Sequence, residues 1–571
     1  MYKDKPWLKF YEPHVPEKID YPHITISAAL EETARTYPDR TAMIFKDNQI
    51  SFREYNRTVD RFAAALQKLG VQKGDRIAIH LPNCPQFPIT YNAILRIGGI
   101  TVPCNPIYTA REMKHQIEDS GARMIITLSS LYPMIQQIRE ETPVEHVIVA
   151  EIDTYFPEPL KSYFAQLKEK DPTRKVDISG AANTYWFTDL LENAPEKPEP
   201  VQLDWEDTAV LMYTGGTTGI SKGAQLTHKN IFVNAFQVKT WINGGEEDIT
   251  LTTIPLYHCY AMSCCMNATT VSGGAQLLIP DPRDTDDILK NIDKHHPAFY
   301  PGVPAMYIAI NNHPDVKKYD LSSIRACNSG AAPLPVEVQQ RFQELTGARL
   351  VEGYGLSEAT PVTHTNPIFG ENRIGTIGLP YPDTEATIVD LETGETEVPI
   401  GEPGELCIRG PQVMKGYWNM PTETANTLRV HPEGGDPWLH TGDIAVMDTD
   451  GYFQIVDRKK DMILGAGGYN VYPRDVEDVL FEHSKVLEAA VVGVLAEEGN
   501  QQVKAFIVLK PGETATEQEI IEFCRQNLAP YKVPKFVEFR DSLPKTMVGK
   551  VLRRELVKEE STPADDKSSG T

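Results

Sequence analysis

The segment Tyr213–Gly223, YTGGTTGISKG, concentrates groups that could bind a polyphosphate. It follows the apolar run Ala209–Tyr213, so a buried strand is predicted to lead into a loop of glycines, hydroxyls and accessible backbone N–H groups. A P-loop would place Gly directly before its Lys and Ser or Thr directly after it, whereas the order here is Ser221-Lys222-Gly223. The segment therefore predicts a phosphate-binding loop of another kind, with a Ser/Thr/Gly linker as the alternative.

Composition limits the classes of protein that this loop could belong to. A chain of 571 residues, 41% hydrophobic and 24% charged, predicts a globular protein of about three or four packed units. The net charge of −23 argues against a general nucleic-acid binder. Anionic ligands must therefore be met by local cations, helix ends or a metal ion.

Cysteine usage and the N-terminus indicate the compartment. The eight cysteines are scattered without metal-type spacing, which favours free buried thiols in a reducing environment. No stretch has the pattern of a signal peptide or of a membrane span, so a cytoplasmic protein is expected. Trp7, Leu8, Phe10 and Tyr11 could touch a membrane surface peripherally, or the arm that carries them could pack on the body.

Helical and strand patterns alternate through the first part of the chain. Ile26–Tyr37 has helical spacing, and the capping box Ser51–Glu54 begins a second amphipathic helix. Arg76–Leu81 and Met124–Thr127 are strand-like, and residues of roughly 150–205 have the polar composition of a surface excursion. Alternation of this kind predicts parallel sheets covered by helices.

The hydrophobic pattern of the sequence changes from Ile374 onward. Short apolar runs separated by turn residues there predict a β-rich unit. A basic joint near Asp457-Arg458 precedes about a hundred residues with mixed helix and strand patterns. We expect a mixed α/β protein with a large N-terminal domain, residues 1–457, and a small mobile α+β domain, residues 458–558. The large domain would contain two αβα subdomains and a barrel-like β subdomain, and residues 559–571 a disordered tail.

Further motifs follow the phosphate loop in a fixed order. They are Pro255–His258 (PLYH), Ser329–Leu334 (SGAAPL), Gly353–Glu358 (GYGLSE), Thr441-Gly442-Asp443, Asp457-Arg458, and Pro544-Lys545-Thr546 with Gly549-Lys550. In this order and spacing the chain resembles the adenylate-forming superfamily of acyl-CoA synthetases, luciferase-like enzymes and peptide-synthetase adenylation domains. The segments VEGYGLSEATPVTH, GPQVMKGYWNMP and LAPYKVPK are most similar to bacterial long-chain fatty-acid–CoA ligases.

The resemblance implies how ATP and Mg²⁺ are bound. Lys222 and the loop would hold the β- and γ-phosphates, and Glu358 with Thr217 would bind Mg²⁺, which prefers oxygen ligands. The loop residues meant are Thr214, Gly215, Gly216, Thr217, Thr218 and Gly219.

The adenosine site is implied in the same way. Tyr354 would stack on adenine, with small residues behind the base, and Asp443 and Arg458 would bind the ribose hydroxyls. The other residues of this slot are Gly330, Ala331, Ala332, Gly355 and Ser357. A core tyrosine and an ordinary turn are the alternatives for Tyr354 and Asp443.

Catalytic roles also follow from the resemblance. His258 would lie beside the acyl carboxylate, unless it is an ordinary core histidine. Lys550 would reach the α-phosphate during adenylation and then leave, as the small domain rotates about a hinge at Lys460. Gly467 and Gly468 would then line the coenzyme A tunnel. The segment near Gly465 is one residue longer than the family pattern between the hinge and these glycines, so the chain departs from the resemblance more at the thioester step than at adenylation.

The sequence thus predicts an AMP-forming fatty acid–CoA ligase acting on a medium- or long-chain acid with ATP, Mg²⁺ and coenzyme A. An aryl or short-chain acid ligase with the same mechanism is the alternative within the class, and a nucleotide-binding scaffold without activity is the alternative outside it. A homodimer stays open, and no nucleic-acid partner is expected.

Overall fold

The computed structural model describes residues 2–171, 175–214, 221–432, 434–464, 470–495, 501–546 and 551–561. Its α-helices are, in chain order, α1 (Ile26–Thr36), α2 (Phe52–Lys68), α3 (Gln86–Arg96), α4 (Ala110–Ser120), α5 (Tyr132–Arg139), α6 (Leu160–Lys170), α7 (Phe187–Glu192), α8 (His228–Ile242), α9 (Cys259–Ala261), α10 (Ala268–Ser272), α11 (Thr285–His295), α12 (Pro304–Asn312), α13 (Val336–Thr346), α14 (Pro421–Thr427), α15 (Pro473–Glu482), α16 (Glu517–Asn527) and α17 (Arg553–Ser561). A buried π-helix, Met262–Asn267, joins α9 to α10.

The strands of the described residues are β1 (Thr41–Phe45), β2 (Asn48–Ser51), β3 (Arg76–His80), β4 (Ile100–Pro103), β5 (Met124–Leu128), β6 (His146–Ala150), β7 (Thr184–Trp186), β8 (Thr208–Thr214), β9 (Lys222–Thr227), β10 (Ile249–Thr252), β11 (Ala275–Leu278), β12 (Phe299–Gly302), β13 (Ala326–Ser329), β14 (Arg349–Gly355), β15 (Val362–Thr365), β16 (Leu379–Pro380), β17 (Glu385–Val389), β18 (Gly404–Arg409), β19 (Gly416–Tyr417), β20 (Leu428–Arg429), β21 (Trp438–Met447), β22 (Phe453–Arg458), β23 (Ile463–Leu464), β24 (Asn470–Val471), β25 (Val486–Leu495), β26 (Gln501–Leu509) and β27 (Phe536–Phe539).

Two large sheets form the body of the molecule. One has the order β19-β9-β8-β4-β3-β5-β6-β7, and its central strands β8, β4, β3, β5 and β6 run parallel. The other has the order β16-β15-β14-β13-β12-β10-β11-β1-β2 and is parallel from β14 to β1. Strands such as Met124–Leu128 are apolar on both faces because helices cover both sides of a parallel sheet.

The β-rich unit and the small domain follow in the chain. Strands β17, β18, β21 and β20 form an antiparallel sheet, to which β22 adds through β21. The small domain contains the sheet β25-β26-β27, with the core of α15 and α16 packed against it. The predicted mixed α/β fold with large N-terminal and small C-terminal parts is confirmed.

Local sequence signals placed many elements correctly. The Ser51–Glu54 capping box is present, with Ser51 Oγ accepting a hydrogen bond from the Glu54 backbone N–H and the Glu54 carboxylate accepting one from the Ser51 N–H. Helix α1 and strands β3 and β5 match the predicted Ile26–Tyr37, Arg76–Leu81 and Met124–Thr127 to within one residue at their ends.

Residues of roughly 150–205 lie mostly at the surface, as predicted, although β7 pairs in parallel with β6 and extends the first sheet at its edge. One assignment was wrong. The predicted tail begins too early, because Glu559 lies in α17, where its carboxylate accepts a hydrogen bond from Arg540 at 2.6 Å. Residues 562–571 lie outside the described part of the chain.

The N-terminal arm packs on the body, which decides between the two alternatives for its aromatic residues. Trp7 is 1% exposed and lies edge-on to Phe453, while Phe10 contacts Tyr452 in the same way. Tyr11 donates a hydrogen bond to the Pro380 carbonyl at 2.7 Å. These rings are therefore committed to internal packing. No helix among the described residues combines the length and the apolar character needed to cross a membrane.

All eight cysteines are free and buried, as their spacing predicted.

Candidate active site

Three of the predicted motifs lie at the same edge of the second sheet. Gly330 comes directly after β13, Tyr354 lies near the end of β14, and His258 follows β10 after a short segment. Strands β13 and β14 are parallel, with Ser329 opposite Glu352. The carboxyl ends of parallel strands are where open α/β sheets bind their ligands, so the topology alone gathers these motifs into one site.

The predicted phosphate loop connects two antiparallel strands. Thr214 ends β8 and is paired with Lys222 at the start of β9. The Ser221 hydroxyl donates a hydrogen bond to the Thr214 carbonyl at 2.6 Å, which closes the base of the loop. The loop residues Gly215, Gly216, Thr217, Thr218 and Gly219 lie outside the described residues, so their assignment to phosphate binding stays a prediction.

Lys222 has a carboxylate partner in this structure. Its ammonium forms an ion pair with Glu423 of α14 and lies over the Tyr417 ring, 5.2 Å from the centroid. Tyr417 is placed there because β19 pairs with β9, which sets Tyr417 opposite Ala224. The lysine predicted to bind phosphate is thus held between an anion and an aromatic face.

Tyr417 also connects Lys222 to the predicted metal ligand. Its hydroxyl donates a hydrogen bond to Glu358 Oε1 at 2.7 Å. Burial, and then the Glu358 carboxylate, raise the pKa of the Tyr417 phenol, so it stays a neutral donor at physiological pH. One side chain therefore joins the first sheet to the turn after β14.

Sequence reasoning assigned no role to Tyr417 or Glu423. The segment Gly416–Asn419 (GYWN) contributed to the family resemblance, but a tyrosine and a glutamate in a polar stretch are common surface residues. Their placement depends on the pairing of β19 with β9, which neither segment encodes alone.

Tyr354, Asp443 and Arg458 come together as predicted. The Tyr354 hydroxyl donates a hydrogen bond to Asp443 Oδ2 at 2.6 Å, and Arg458 Nε is 3.4 Å from Asp443 Oδ1. The last two residues are opposite each other in the register of β21 and β22. Burial and the Asp443 charge raise the pKa of Tyr354, which keeps the phenol protonated.

Small residues close the adjacent part of the site. A Cβ atom at Gly330 would lie 3.1 Å from the ring of Tyr260, and one at Gly355 would lie 2.2 Å from the Pro361 carbonyl oxygen. Ala331 has a φ of 67°, in the left-handed region that alanine rarely adopts. Ala332 follows it, half-buried. The chain turns sharply here, beside the end of β14.

His258 caps the short helix α9. Its Nδ1 accepts a hydrogen bond from the Tyr260 backbone N–H at 3.2 Å, which assigns the neutral-ring proton to Nε2. The neighbouring Cys259 Sγ is 3.3 Å from the Ser357 hydroxyl. His258 therefore lies close to the GYGLSE turn, half-buried, which is compatible with a role beside a substrate carboxylate.

The predicted hinge residue Lys460 lies where the small domain meets β22. Burial, and then the Arg458 guanidinium, lower the pKa of Lys460 to about 8. Nearby, Arg553 pairs with Glu477 at 2.6 Å and with Asp461 at 3.3 Å. Lys550, Gly467 and Gly468 lie outside the described residues, so their roles stay predictions.

The predicted magnesium site is supported by one feature of the described residues, the second carboxylate oxygen of Glu358. Tyr417 contacts Oε1 of Glu358, and within the described part of the chain Oε2 has no hydrogen-bond partner and can serve as a hard oxygen ligand. Thr217, the second predicted ligand, is not among the described residues.

The fold and this arrangement define a nucleotide-binding enzyme of the type that the motifs predicted. Residues 30–418 match the model of the AMP-binding enzyme family, and residues 475–550 match that of the AMP-binding enzyme C-terminal domain. The chain belongs to the AMP-binding enzyme family. The predicted adenylate-forming superfamily is confirmed.

Similarity to individual proteins extends over nearly the whole chain. A long-chain-fatty-acid–CoA ligase of Bacillus subtilis is 45% identical over 98% of this chain and 99% of its own length. One of Escherichia coli is 40% identical over 99% of this chain and 100% of its own length. Among solved structures, the anthranilate CoA ligase AuaEII in complex with anthranoyl-AMP matches with a TM-score of 0.83 at 27% identity, covering 95% of this chain and 98% of AuaEII.

Proposed function

We propose that this chain is an ATP-dependent fatty acid–CoA ligase that prefers medium- or long-chain acids. The full-length similarity to two ligases named for long-chain fatty acids carries this proposal. ATP and coenzyme A are substrates in this family, and the ligand-binding edge of the second sheet offers the groups that an adenylation reaction needs.

In the first half-reaction a carboxylate oxygen of the fatty acid attacks the α-phosphorus of ATP. The bond between that phosphorus and the bridging oxygen breaks, and pyrophosphate leaves with the electron pair. Both reactants are anions, so cations at fixed positions lower the barrier. Lys222 would hold the β- and γ-phosphates, and Lys550 would hold the α-phosphate beside the carboxylate.

The adenosine part of ATP would be held by Tyr354, Asp443 and Arg458. Asp443 offers carboxylate oxygens to the ribose hydroxyls, with Arg458 beside it. His258 would donate its Nε2–H to the acid, consistent with the hydrogen bond that its Nδ1 accepts. These groups bind and orient the reactants, which supplies much of the effective concentration in a two-substrate reaction.

Mg²⁺ would be held by Glu358 and Thr217, and when bound it would neutralise phosphate charge.

In the second half-reaction the thiol of coenzyme A loses its proton and its sulfur attacks the acyl carbon of acyl-AMP. The bond from that carbon to the phosphate oxygen breaks, and AMP leaves with the electron pair. Gly467 and Gly468 would line the path of the thiol. We also propose a cytoplasmic location, supported by the eight free buried thiols.

The proposal is tested by measuring AMP release from ATP that depends on coenzyme A, with palmitate, octanoate, acetate and 4-coumarate side by side. Release is expected to be highest with palmitate or octanoate. Preference for 4-coumarate or acetate would replace the proposal by an aryl or short-chain acid ligase. If ATP–pyrophosphate exchange is seen without AMP release, the proposed adenylation half-reaction would be correct and the proposed acceptor, coenzyme A, would be wrong.

A further inference from the structure

A cluster of metal-ligand side chains lies in the β-rich unit, outside the proposed nucleotide site. Cys407 is in β18, His440 is in β21, and His431 is in the segment between β20 and β21. One donor atom from each residue lies within 4.8 Å of the other two. All three side chains are buried, and Cys407 is 0% exposed.

The donor atoms of the cluster lie near enough to one another to approach a single ion. The Nε2 atoms of the two imidazoles are 3.0 Å apart, and Cys407 Sγ is 3.5 Å from the other ring nitrogen of His440, Nδ1. Ligand atoms around tetrahedral zinc stand about 3.3–3.6 Å apart, given zinc–nitrogen bonds of about 2.0–2.1 Å and zinc–sulfur bonds of about 2.3 Å. Coordination through His440 Nε2 would require the Cys407 thiol and the imidazole ring of His440 to rotate, so that Sγ approaches Nε2 instead of Nδ1.

The surroundings also have the features of a metal site. Glu405, 5% exposed, has its Oε2 3.5 Å from His440 Nδ1, so His440 can bind an ion through Nε2 while the carboxylate orients the ring. Trp438 stacks on His431 with ring centroids 5.5 Å apart, and Val389 and Trp438 form an apolar shell around Cys407.

We propose that Cys407, His431 and His440 bind one zinc ion, with Glu405 as the positioning carboxylate. One thiolate and two imidazoles form a donor set that favours zinc over the oxygen-preferring Mg²⁺ and Ca²⁺. The three ligands come from two strands and a connecting segment, so the ion would fasten the β20–β21 connection to β18.

The position of the cluster gives this ion a structural effect on the nucleotide site. Glu405 accepts a hydrogen bond from the Gly442 backbone N–H at 3.1 Å and pairs with Lys459 at 3.2 Å. Gly442 precedes Asp443, the ribose ligand under the proposed function. Zinc would therefore hold the strand that presents Asp443, without touching a substrate.

The test is metal content and cobalt substitution of the full-length protein after removal of any purification tag. Mass spectrometry of the metal is expected to find about one zinc ion per chain. Cobalt(II) added to protein stripped of metal is expected to give thiolate-to-cobalt charge-transfer absorption and the intense visible bands of tetrahedral cobalt. Zinc added afterwards should abolish both.

Cys407→Ala and His431→Gln are expected to lose the charge-transfer band and the zinc, whereas Cys524→Ala, at a buried cysteine of the small domain, keeps both. A chelator should lower the melting temperature of the wild type and leave that of Cys407→Ala unchanged.

Wild-type protein that binds no cobalt through a thiolate, or an unchanged band in Cys407→Ala, would overturn the proposal. The wild-type measurements decide the question even if a variant fails to fold. They are independent of the ligase activity.

Discussion

The residue that stands out in the proposed phosphate site is Glu423, because it forms an ion pair with the lysine that ATP is expected to need. The Lys222 ammonium pairs directly with this carboxylate and lies over the Tyr417 ring. A phosphate entering the loop must displace Glu423 or share the cation with it. Ion pairs of partly exposed groups are worth about 1 kcal/mol or less, so the competition is modest but measurable.

Glu423→Gln is therefore expected to lower the KM for ATP by about twofold to fivefold, with kcat nearly unchanged. The amide keeps the size of the side chain and removes the charge that competes with phosphate. Steady-state kinetics at saturating fatty acid and coenzyme A measures the change, and the exposed Glu402→Gln serves as the matched control. A higher KM would mean that Glu423 positions Lys222 for phosphate instead of competing with it.

Glu352 gives a prediction about pH at the same scale. It is 7% exposed beside the nucleotide edge of the second sheet, and burial raises its pKa to about 7, although Arg474 opposes the shift. The folded state therefore binds this proton more tightly than the unfolded state does. Stability from Glu352 is complete below its ordinary pKa of about 4.5 and is lost as the pH rises through about 7.

Glu352→Gln keeps the neutral form at every pH, so it should match the wild type at about pH 4 and below and be more stable above pH 7, by up to about 3 kcal/mol. Melting temperatures of both proteins across this range measure the difference. A gap that is constant with pH would show that Glu352 is not the titrating group.

At the scale of elements, local sequence patterns predicted those helices and strands that are determined by neighbouring residues. The Ser51 capping box and the apolar run Met124–Thr127 each carry their own signal, and the structure has both elements. Strand β9 (Lys222–Thr227) was missed because its alternation of polar and apolar residues is weak. Its extended conformation depends on antiparallel pairing with β8. The predicted mixed fold followed from such patterns, whereas the pairing of distant strands did not.

The contacts of the candidate site also fall into two groups, those that the motifs predict and those that depend on the pairing of distant strands. The resemblance assigned Tyr354 and Asp443 to the same adenosine site, and the structure brings their side chains into contact. The bridge from Lys222 through Tyr417 to Glu358 depends on the long-range pairing of β19 with β9, so no local pattern predicts it. The Cys407 cluster was missed for the same reason, because the pairing of β18 with β21 sets Cys407 opposite His440, and the three residues have no motif spacing.

The turn between β14 and β15 makes an element-scale prediction. Gly355 lies so close to the Pro361 backbone that an added Cβ would be 2.2 Å from its carbonyl oxygen. Gly355→Ala must push this turn apart and displace Glu358, so kcat/KM is expected to fall on the order of 100-fold. The control is Gly245→Ala, where the nearest contact of a Cβ is an ordinary 3.7 Å. Equal activity of the two variants would show that the turn adjusts without moving Glu358.

At the scale of the whole molecule, charged residues at the hinge join the two domains. Arg553 of α17 lies 3.7 Å from Asp457 of β22 and pairs with Glu477 of α15. Asp457 Oδ2 also accepts the Arg474 backbone N–H at 2.8 Å. These contacts hold the small domain in one orientation. A rotation about Lys460 would have to rearrange them.

If the small domain alternates between two orientations, Lys550 is needed in only one of them. Lys550→Ala is expected to reduce acyl-adenylate formation on the order of 100-fold or more, because a cation beside the developing charge is lost. Thioester formation from supplied acyl-adenylate should stay within about twofold of the wild type, because the proposed rotation removes Lys550 from that step. Pyrophosphate exchange and single-turnover thioester assays separate the two halves, with Lys545→Ala as the control, since Lys545 pairs with Glu488 within the small domain. Equal losses in both halves would rule out the alternation, because the lysine would then act in one fixed arrangement.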